Sequence, residues 1–73
     1  MPIVLAPLNV ELEIVKVLLD NETKKRLESL GIFVGSKVTV LDQALGSTIV
    51  LVKEGRLALD KDIATKILVA MKG

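Results

Sequence analysis

The 73-residue sequence has no cysteine, no histidine, no tryptophan and no tyrosine, and Phe33 is its single aromatic residue. Disulfides are therefore excluded, and so are metal sites built on thiolate or imidazole ligands. A serine nucleophile would have no histidine to activate it. Platforms that stack bases or proline-rich peptides need more aromatic side chains than one. These absences predict a protein that is not an enzyme, with no cofactor and no metal of its own.

The sequence also has no large excess of charge of either sign. Ten basic and nine acidic residues give a net charge of +1, and they are spread along the chain rather than gathered in a stripe. Nucleic-acid binders usually carry such a stripe, so we expect no nucleic-acid partner, and an RNA-binding barrel is a disfavoured alternative. No apolar run approaches the roughly 18 residues of a membrane span. No charged region precedes the first apolar residues, which predicts a cytoplasmic protein without membrane insertion.

Aliphatic side chains are abundant instead. Leucine, valine and isoleucine supply 29 of the 73 residues. A small domain buries a smaller share of its surface than a large one does. We therefore predict a single domain, residues 1–73, that leaves apolar surface exposed and is suited to a protein partner or to a homo-oligomer.

The first half of the chain predicts an entry segment, a strand and a helix. Two prolines in residues 1–9 indicate a loop or an edge segment. The stretch VELEIVKVLL alternates apolar and polar residues, and its phase slips at Val15, where Val15 and Val17 become the apolar positions and a bulge is expected. The helix then begins at Asp20 or Asn21, both of which are favourable N-cap residues.

The end of this helix lies in the stretch RLESLGIFVG. Leu27 and Leu30 share one helix face and are expected to dock it. Gly31 can adopt the left-handed conformation that ends a helix, and Ile32 is then placed to pack on Leu27. Gly35 supplies a turn before the next strand.

The second half reads as short strands. SKVTVLD is the first of these strands, and a loop around Leu45 follows it. STIVLVK is the second, and its continuous apolar run is typical of a strand covered on both faces. Glu54-Gly55 is the expected hairpin turn, RLAL a third strand, Asp60 the N-cap of a single helical turn, and KILVAM the last strand. Short strands with a bulge and near-consecutive hairpins favour a small, nearly closed barrel. The alternative is a five-stranded sheet with the helix on one face.

The stretch RLESLGIFVGSKVTVL resembles the signature of the FeoA family, small proteins encoded with the ferrous-iron transporter FeoB. The matching positions are Arg26, Leu27, Leu30, Gly31, Ile32, Gly35, Val38 and Val40. Later matches are Gly46 and, in EGRLALDKDIATKILV, Gly55, Leu57, Ala58, Leu59, Ala64, Ile67 and Val69. The first nine residues depart from the family pattern. The resemblance implies an all-β fold, a small SH3-like β-barrel of about five strands with one short α-helix after the first strand.

The resemblance also implies a cytoplasmic accessory or regulatory protein of ferrous-iron uptake that contacts the FeoB membrane GTPase. Leu27, Leu30, Gly31, Ile32 and Gly35 form the structural signature. The predicted partner contacts are Arg26, Phe33 and Leu45, with two alternatives: Phe33 is favoured as a core anchor, and Arg26 can pair with Glu22.

A second hypothesis is a free-standing metal-responsive regulatory barrel, of the kind found as the C-terminal domain of DtxR-type repressors. Its candidate ligands are the carboxylate pairs Glu11/Glu13 and Asp60/Asp62. Each pair offers two carboxylates, whereas a good oxygen site needs six or more ligand atoms. Solvated acidic side chains or a helix cap are the favoured interpretation of both pairs.

Overall fold

The computed structural model describes residues 1–71, so the last two positions of the predicted domain lie outside the described residues. The elements follow the predicted order. A 3₁₀ turn at Ile3–Leu5 is followed by β1 Glu11–Val17, α1 Asn21–Ser29, β2 Lys37–Ala44, β3 Ser47–Val52, β4 Gly55–Asp60, α2 Lys61–Ala64 and β5 Ile67–Met71.

The strands form one antiparallel sheet in the order β4-β3-β2-β1-β5. Register shifts occur in β1 between Ile14 and Lys16, where a bulge was predicted, and in β2 between Val40 and Asp42. Bulges bend a strand and raise its twist, which allows so small a sheet to curl. Val15, predicted as an apolar partner of Val17, is instead exposed at the first bulge.

The curled sheet encloses a single core. Its buried apolar residues come from the 3₁₀ turn, the entry segment, both helices, the segment after α1 and all five strands: Ile3, Ala6, Leu12, Ile14, Val17, Leu27, Ile32, Val38, Val40, Val50, Val52, Leu59, Ala64, Ile67 and Val69. This arrangement is an SH3-like small β-barrel, which confirms the predicted fold class. A flat sheet with the helix on one face is therefore excluded.

Two details of the strands differ from prediction. β3 was expected to be covered on both faces, but Leu51 is 42% exposed, because only Thr48, Val50 and Val52 face the core. The hairpin from β3 to β4 turns through residues 53 and 54, not through Glu54-Gly55, since Gly55 already pairs with Val52. The turn lies one residue earlier than the glycine suggested.

The entry segment is part of the core. Ile3 is fully buried, and the side chain of Gln43 donates from Nε2 to the carbonyl oxygens of Ile3 (3.3 Å) and Val4 (3.2 Å). Gln43 Oε1 in turn accepts a hydrogen bond from the buried Thr48 hydroxyl at 2.7 Å. The segment therefore closes one end of the barrel and is fixed there by a side-chain amide.

Candidate interaction surface

The end of α1 sets the position of the segment that follows it. The N–H of Ile32 donates to the Leu27 carbonyl (2.9 Å), and the N–H of Gly31 donates to the Glu28 carbonyl (3.0 Å). These two bonds define a Schellman motif, with Gly31 at φ +96° in the left-handed region. Leu27 and Ile32 are both buried in the core, so the predicted helix stop is confirmed.

Leu30 behaves differently from the rest of the predicted signature. It is the C-cap of α1 and is 38% exposed, because the chain reverses at Gly31 and only Leu27 of the predicted helix face enters the core. The expectation that Leu30 docks the helix is therefore wrong. Leu30 instead adds apolar area to the surface around the end of α1.

Phe33 opens a tight turn that ends at Ser36. The Ser36 N–H and Oγ both donate to the Phe33 carbonyl (2.9 and 2.7 Å), while the Phe33 N–H donates to Ser36 Oγ at 3.1 Å. Gly35, at φ +94°, is the third residue of this turn, where a type II geometry requires a positive φ. The Gly35 N–H donates to the Ile14 carbonyl at 2.8 Å, and the Ile14 N–H donates to the Ser36 carbonyl at 2.9 Å. The turn is therefore fixed to β1.

This fixed turn displays two apolar side chains. Phe33 is 45% exposed and Val34 is more exposed still, so the favoured expectation of Phe33 as a core anchor is wrong. The adjacent Ile32 is the residue that faces the core at this point of the chain. Val34 was not among the contacts predicted from the sequence, although a residue just before a turn glycine commonly projects outward.

Two grooves flank Phe33. One, of about 630 Å³, runs between the end of α1 and strands β2 and β3, past Val38, Leu51 and Glu54. The other, of about 530 Å³, is lined by Val17, Lys24, Glu28, Ile32, Phe33 and Val34. Phe33 and Glu28 line both grooves. An aromatic side chain between two concave surfaces offers a partner an apolar contact with charged groups at its margin.

The electrostatics around the grooves are mixed in sign. The first groove contains the Lys37–Glu11 ion pair, whose Nζ and Oε1 atoms are 3.9 Å apart. Lys24 and Glu28 present one cation and one anion on the second. At the start of α1, a hydrogen bond from the Thr23 side chain lowers the pKa of the N-cap Asp20 from its ordinary value. Asp20 makes no side-chain hydrogen bond to a helix N–H.

Arg26 lies on α1 and forms the predicted pair with Glu22, at 3.6 Å between Nη2 and Oε1. The two side chains are 68% and 84% exposed. An exposed pair of this kind contributes only about 0.3–0.5 kcal/mol. The guanidinium is therefore held weakly and is accessible to a partner.

Leu45 lies far from the other predicted contacts. It occupies the two-residue tip between β2 and β3 and is fully exposed. Phe33 precedes β2 and Leu45 follows it, so the two residues lie at opposite ends of an eight-residue strand. The structure therefore does not bring Arg26, Phe33 and Leu45 together; Leu45 instead borders a smaller groove with Val4 and Lys61.

Metal ligands are sparse in the described part of the chain. Nowhere between residues 1 and 71 do three or more acidic side chains gather in a way that could hold a metal ion. Glu11 is engaged by Lys37, and Asp60 caps α2 without a side-chain hydrogen bond. No helix between Met1 and Met71 combines the length and apolar character needed to cross a bilayer.

Fold and surface together define a small SH3-like β-barrel that offers an exposed apolar turn. The chain belongs to the FeoA family, since the FeoA domain model matches residues 1–71. No curated protein sequence matches it significantly.

Several solved structures have the same fold. One is a crystal structure of an iron uptake regulatory protein, FeoA, at 24% identity and TM-score 0.83, covering 96% of this chain and 93% of that one. The FeoA protein of Chlorobium tepidum matches at 24% identity and TM-score 0.87, over 100% and 71%. ScaR with bound Zn²⁺ matches at 20% identity and TM-score 0.84, over 99% of this chain and 37% of that one. At these identities the similarity establishes the fold alone.

Proposed function

We propose that this chain is a cytoplasmic, non-enzymatic accessory protein of ferrous-iron uptake that acts by contacting the cytoplasmic portion of an FeoB-type membrane GTPase. Membership of the FeoA family, which is associated with ferrous-iron transport, supports the pathway. The observation that carries the mode of action is the turn at Phe33 and Val34. It displays an aromatic and an aliphatic side chain between two grooves.

A fixed apolar turn suits a protein contact for a physical reason. Buried aromatic anchors contribute a large share of interface energy, and a turn that is already ordered loses little conformational entropy on binding. The hydrogen bonds from Gly35 and Ser36 hold the turn in place before any partner arrives. The charged side chains of Lys24 and Glu28 beside it would form the polar rim of such an interface.

Capture of the chain by an immobilised FeoB cytoplasmic portion tests this proposal. We expect wild type to be retained, and Phe33→Asp and Val34→Asp to lose retention. Leu45→Asp is the matched control, because it places the same charge on a still more exposed apolar side chain at the opposite end of β2. Arg26→Glu tests whether the predicted guanidinium contact extends along α1. Absence of wild-type retention would reject the proposal.

The same set of variants locates the contact. Full retention of Phe33→Asp together with loss in Leu45→Asp would move the interface to the β2–β3 tip. Circular dichroism of each variant establishes that the barrel is intact, since all these side chains are exposed.

The second candidate, a metal-responsive regulatory barrel, has its support in the fold shared with ScaR, a protein solved with bound Zn²⁺. The lack of three clustered acidic groups among residues 1–71 weighs against it. Calorimetric titration with Fe²⁺, Mn²⁺ and Zn²⁺ separates the two candidates. Micromolar binding that Asp60→Asn or Glu11→Gln abolishes would favour the metal-responsive function.

A further inference from the structure

The two edge strands of the sheet, β5 and β4, differ in whether another segment covers them. β5 is covered on its outer side, because Met1 and Val69 exchange two hydrogen bonds (2.8 Å from the Met1 ammonium to the Val69 carbonyl, 2.7 Å from the Val69 N–H to the Met1 carbonyl) and Pro2 bridges Leu68. β4, at the opposite end of the sheet, pairs with β3 and with no other strand of the described chain. An uncovered edge is a template for pairing with another chain.

The register of the β3–β4 hairpin identifies which groups are free on that edge. The Lys61 N–H donates to the Gly46 carbonyl at 3.1 Å, and hydrogen-bonded pairs alternate along an antiparallel ladder. Counting back by two along the unbroken register, Leu59, Leu57 and Gly55 bond to β3. The outward backbone groups are therefore the N–H and C=O of Arg56 and Ala58 and the N–H of Asp60. The Asp60 carbonyl, as the N-cap carbonyl of α2, accepts the first hydrogen bond of that helix.

β4 lacks both a proline and a bulge, two of the features that protect an edge. Its pairing with β3 runs without a register shift. Arg56 and Ala58 are exposed, and Ala58 is too small to hinder a neighbouring strand. Proline, a bulge or a covering segment would protect such an edge, and the last of these is what β5 has.

The two charges on this edge are not paired within the described part of the chain. Neither Arg56 nor Asp60 takes part in an ion pair within residues 1–71. Asp60 precedes α2 as its N-cap but makes no side-chain hydrogen bond to it. The cation lies two residues before Ala58 and the anion two residues after it, on the same face of the strand because side chains alternate with period two.

We propose that a second copy of this chain pairs with the β4 edge, antiparallel and about a two-fold axis at Ala58. In this register Ala58 lies opposite the partner's Ala58, and Arg56 lies opposite the partner's Asp60. The N–H and C=O of Ala58 then pair with those of the partner's Ala58, and the Asp60 N–H of each copy donates to the Arg56 carbonyl of the other. Both symmetry-related contacts match a cation with an anion.

The charge pattern favours a second copy over an unrelated strand. A two-fold interface must be self-complementary, because a residue of one copy that contacts a given residue of the other is matched by the same contact made in reverse. Arg56 and Asp60, equally spaced about Ala58, satisfy that requirement without any rearrangement. A single strand pair buries little area, so the dimer is expected to be weak and its population to depend on concentration.

Amide hydrogen exchange read by NMR at rising protein concentration tests the proposal at single residues. Protection of the amides of Ala58 and Asp60 should rise with concentration. The amides of Leu57 and Leu59 should be protected throughout, because their bonds are internal. Sedimentation equilibrium on the same samples should show a monomer–dimer equilibrium.

Variants make the test specific. Ala58→Pro removes an outward N–H without touching a bond to β3 and should abolish dimerisation. Arg56→Asp or Asp60→Arg alone places like charges opposite each other twice and should weaken the dimer by about tenfold or more. The double variant Arg56→Asp/Asp60→Arg should restore it, whereas Arg26→Asp on α1 should leave it unchanged.

Two results would overturn the inference. A chain that remains monomeric at millimolar concentration, with no change in protection along β4, would exclude the dimer. A dimer that persists in Ala58→Pro, or in both single charge reversals, would have to use another surface. Protection of the Leu57 and Leu59 amides shows that each variant retains its hairpin, so loss of the dimer cannot be attributed to unfolding.

Discussion

The N–H of Ile32 donates a 2.9 Å hydrogen bond to the carbonyl oxygen of Leu27, and both side chains are buried in the same core. This one relationship ends α1 and reverses the chain. It also places the next two residues, Phe33 and Val34, on the outside. Helix end and exposed apolar turn are therefore consequences of the same geometry.

Replacement of Gly31 tests this geometry. Its φ of +96° is unfavourable for any residue with a Cβ, although the nearest atom to such a Cβ would be an ordinary 3.6 Å away. We expect Gly31→Ala to lower the free energy of unfolding by about 1–2 kcal/mol. Gly31→Asn should cost less, because asparagine tolerates a positive φ better. Urea denaturation measures both, and equal stability of wild type and Gly31→Ala would contradict the assignment.

Leu27 and Leu30 form a matched pair for testing the packing of α1. Leu27 is buried and Leu30 largely exposed, although the sequence places both on one helix face. Leu27→Ala should cost about 2–5 kcal/mol, most of the stability expected for a domain of this size. Leu30→Ala should cost well under 1 kcal/mol. Thermal unfolding of the two variants decides, and similar losses would show that both residues pack.

Ile3 should matter as much as any residue of the strands. It is fully buried at the closed end of the barrel, whereas the nearby Leu5 is exposed. We expect Ile3→Ala to destabilise the chain by about 2–5 kcal/mol and Leu5→Ala to have little effect. Equal midpoints of denaturation for wild type and Ile3→Ala would mean that the entry segment does not contribute to the core.

The carboxyl of Asp20 gives the chain a pH dependence of defined sign. The Thr23 side chain lowers the pKa of Asp20 in the folded state, so its contribution to stability is present above the unfolded pKa of about 3.9 and is lost as pH falls through the lower folded pKa. An NMR titration should place the Asp20 pKa below the ordinary value. Thr23→Ala should raise it, and an unchanged pKa in that variant would contradict the stated cause.

The sequence predicts much of the fold because local signals agree with it. The N-cap at Asp20, the stop at Gly31 and the bulge near Val15 each follow from backbone chemistry that involves only a few neighbouring residues. The neighbouring positions of β2, β3 and β4 follow from their short connections, whereas the pairing of β5 with β1 joins strands from opposite ends of the chain. Where local chemistry decides the structure, the sequence is sufficient.

The failures have a different cause. Burial of Ile3 was not predicted, and the hydrogen bond that holds its carbonyl comes from Gln43, forty positions away. Exposure of Leu51 depends on what the barrel leaves uncovered on its outer side. Phe33 was expected inside because aromatic side chains usually are, but the Schellman motif assigns the inward position to Ile32. These outcomes depend on tertiary packing, which no local pattern reports.

The candidate surface was predicted only in part. Phe33 and Arg26 were named from the sequence, and Val34 was not. Leu45 is exposed as expected, but it lies at the far end of β2 from Phe33. Whether two residues share one surface depends on the lengths and directions of the strands between them, and these are known only once the fold is known.

Amide shift mapping of the ¹⁵N-labelled chain, titrated with the cytoplasmic portion of an FeoB transporter, tests the central claim most directly. We expect the largest changes at Phe33, Val34 and the neighbouring residues Lys24 and Glu28 of α1. We expect little change at Leu45. No change at saturating FeoB, or changes confined to the β2–β3 tip, would contradict the claim.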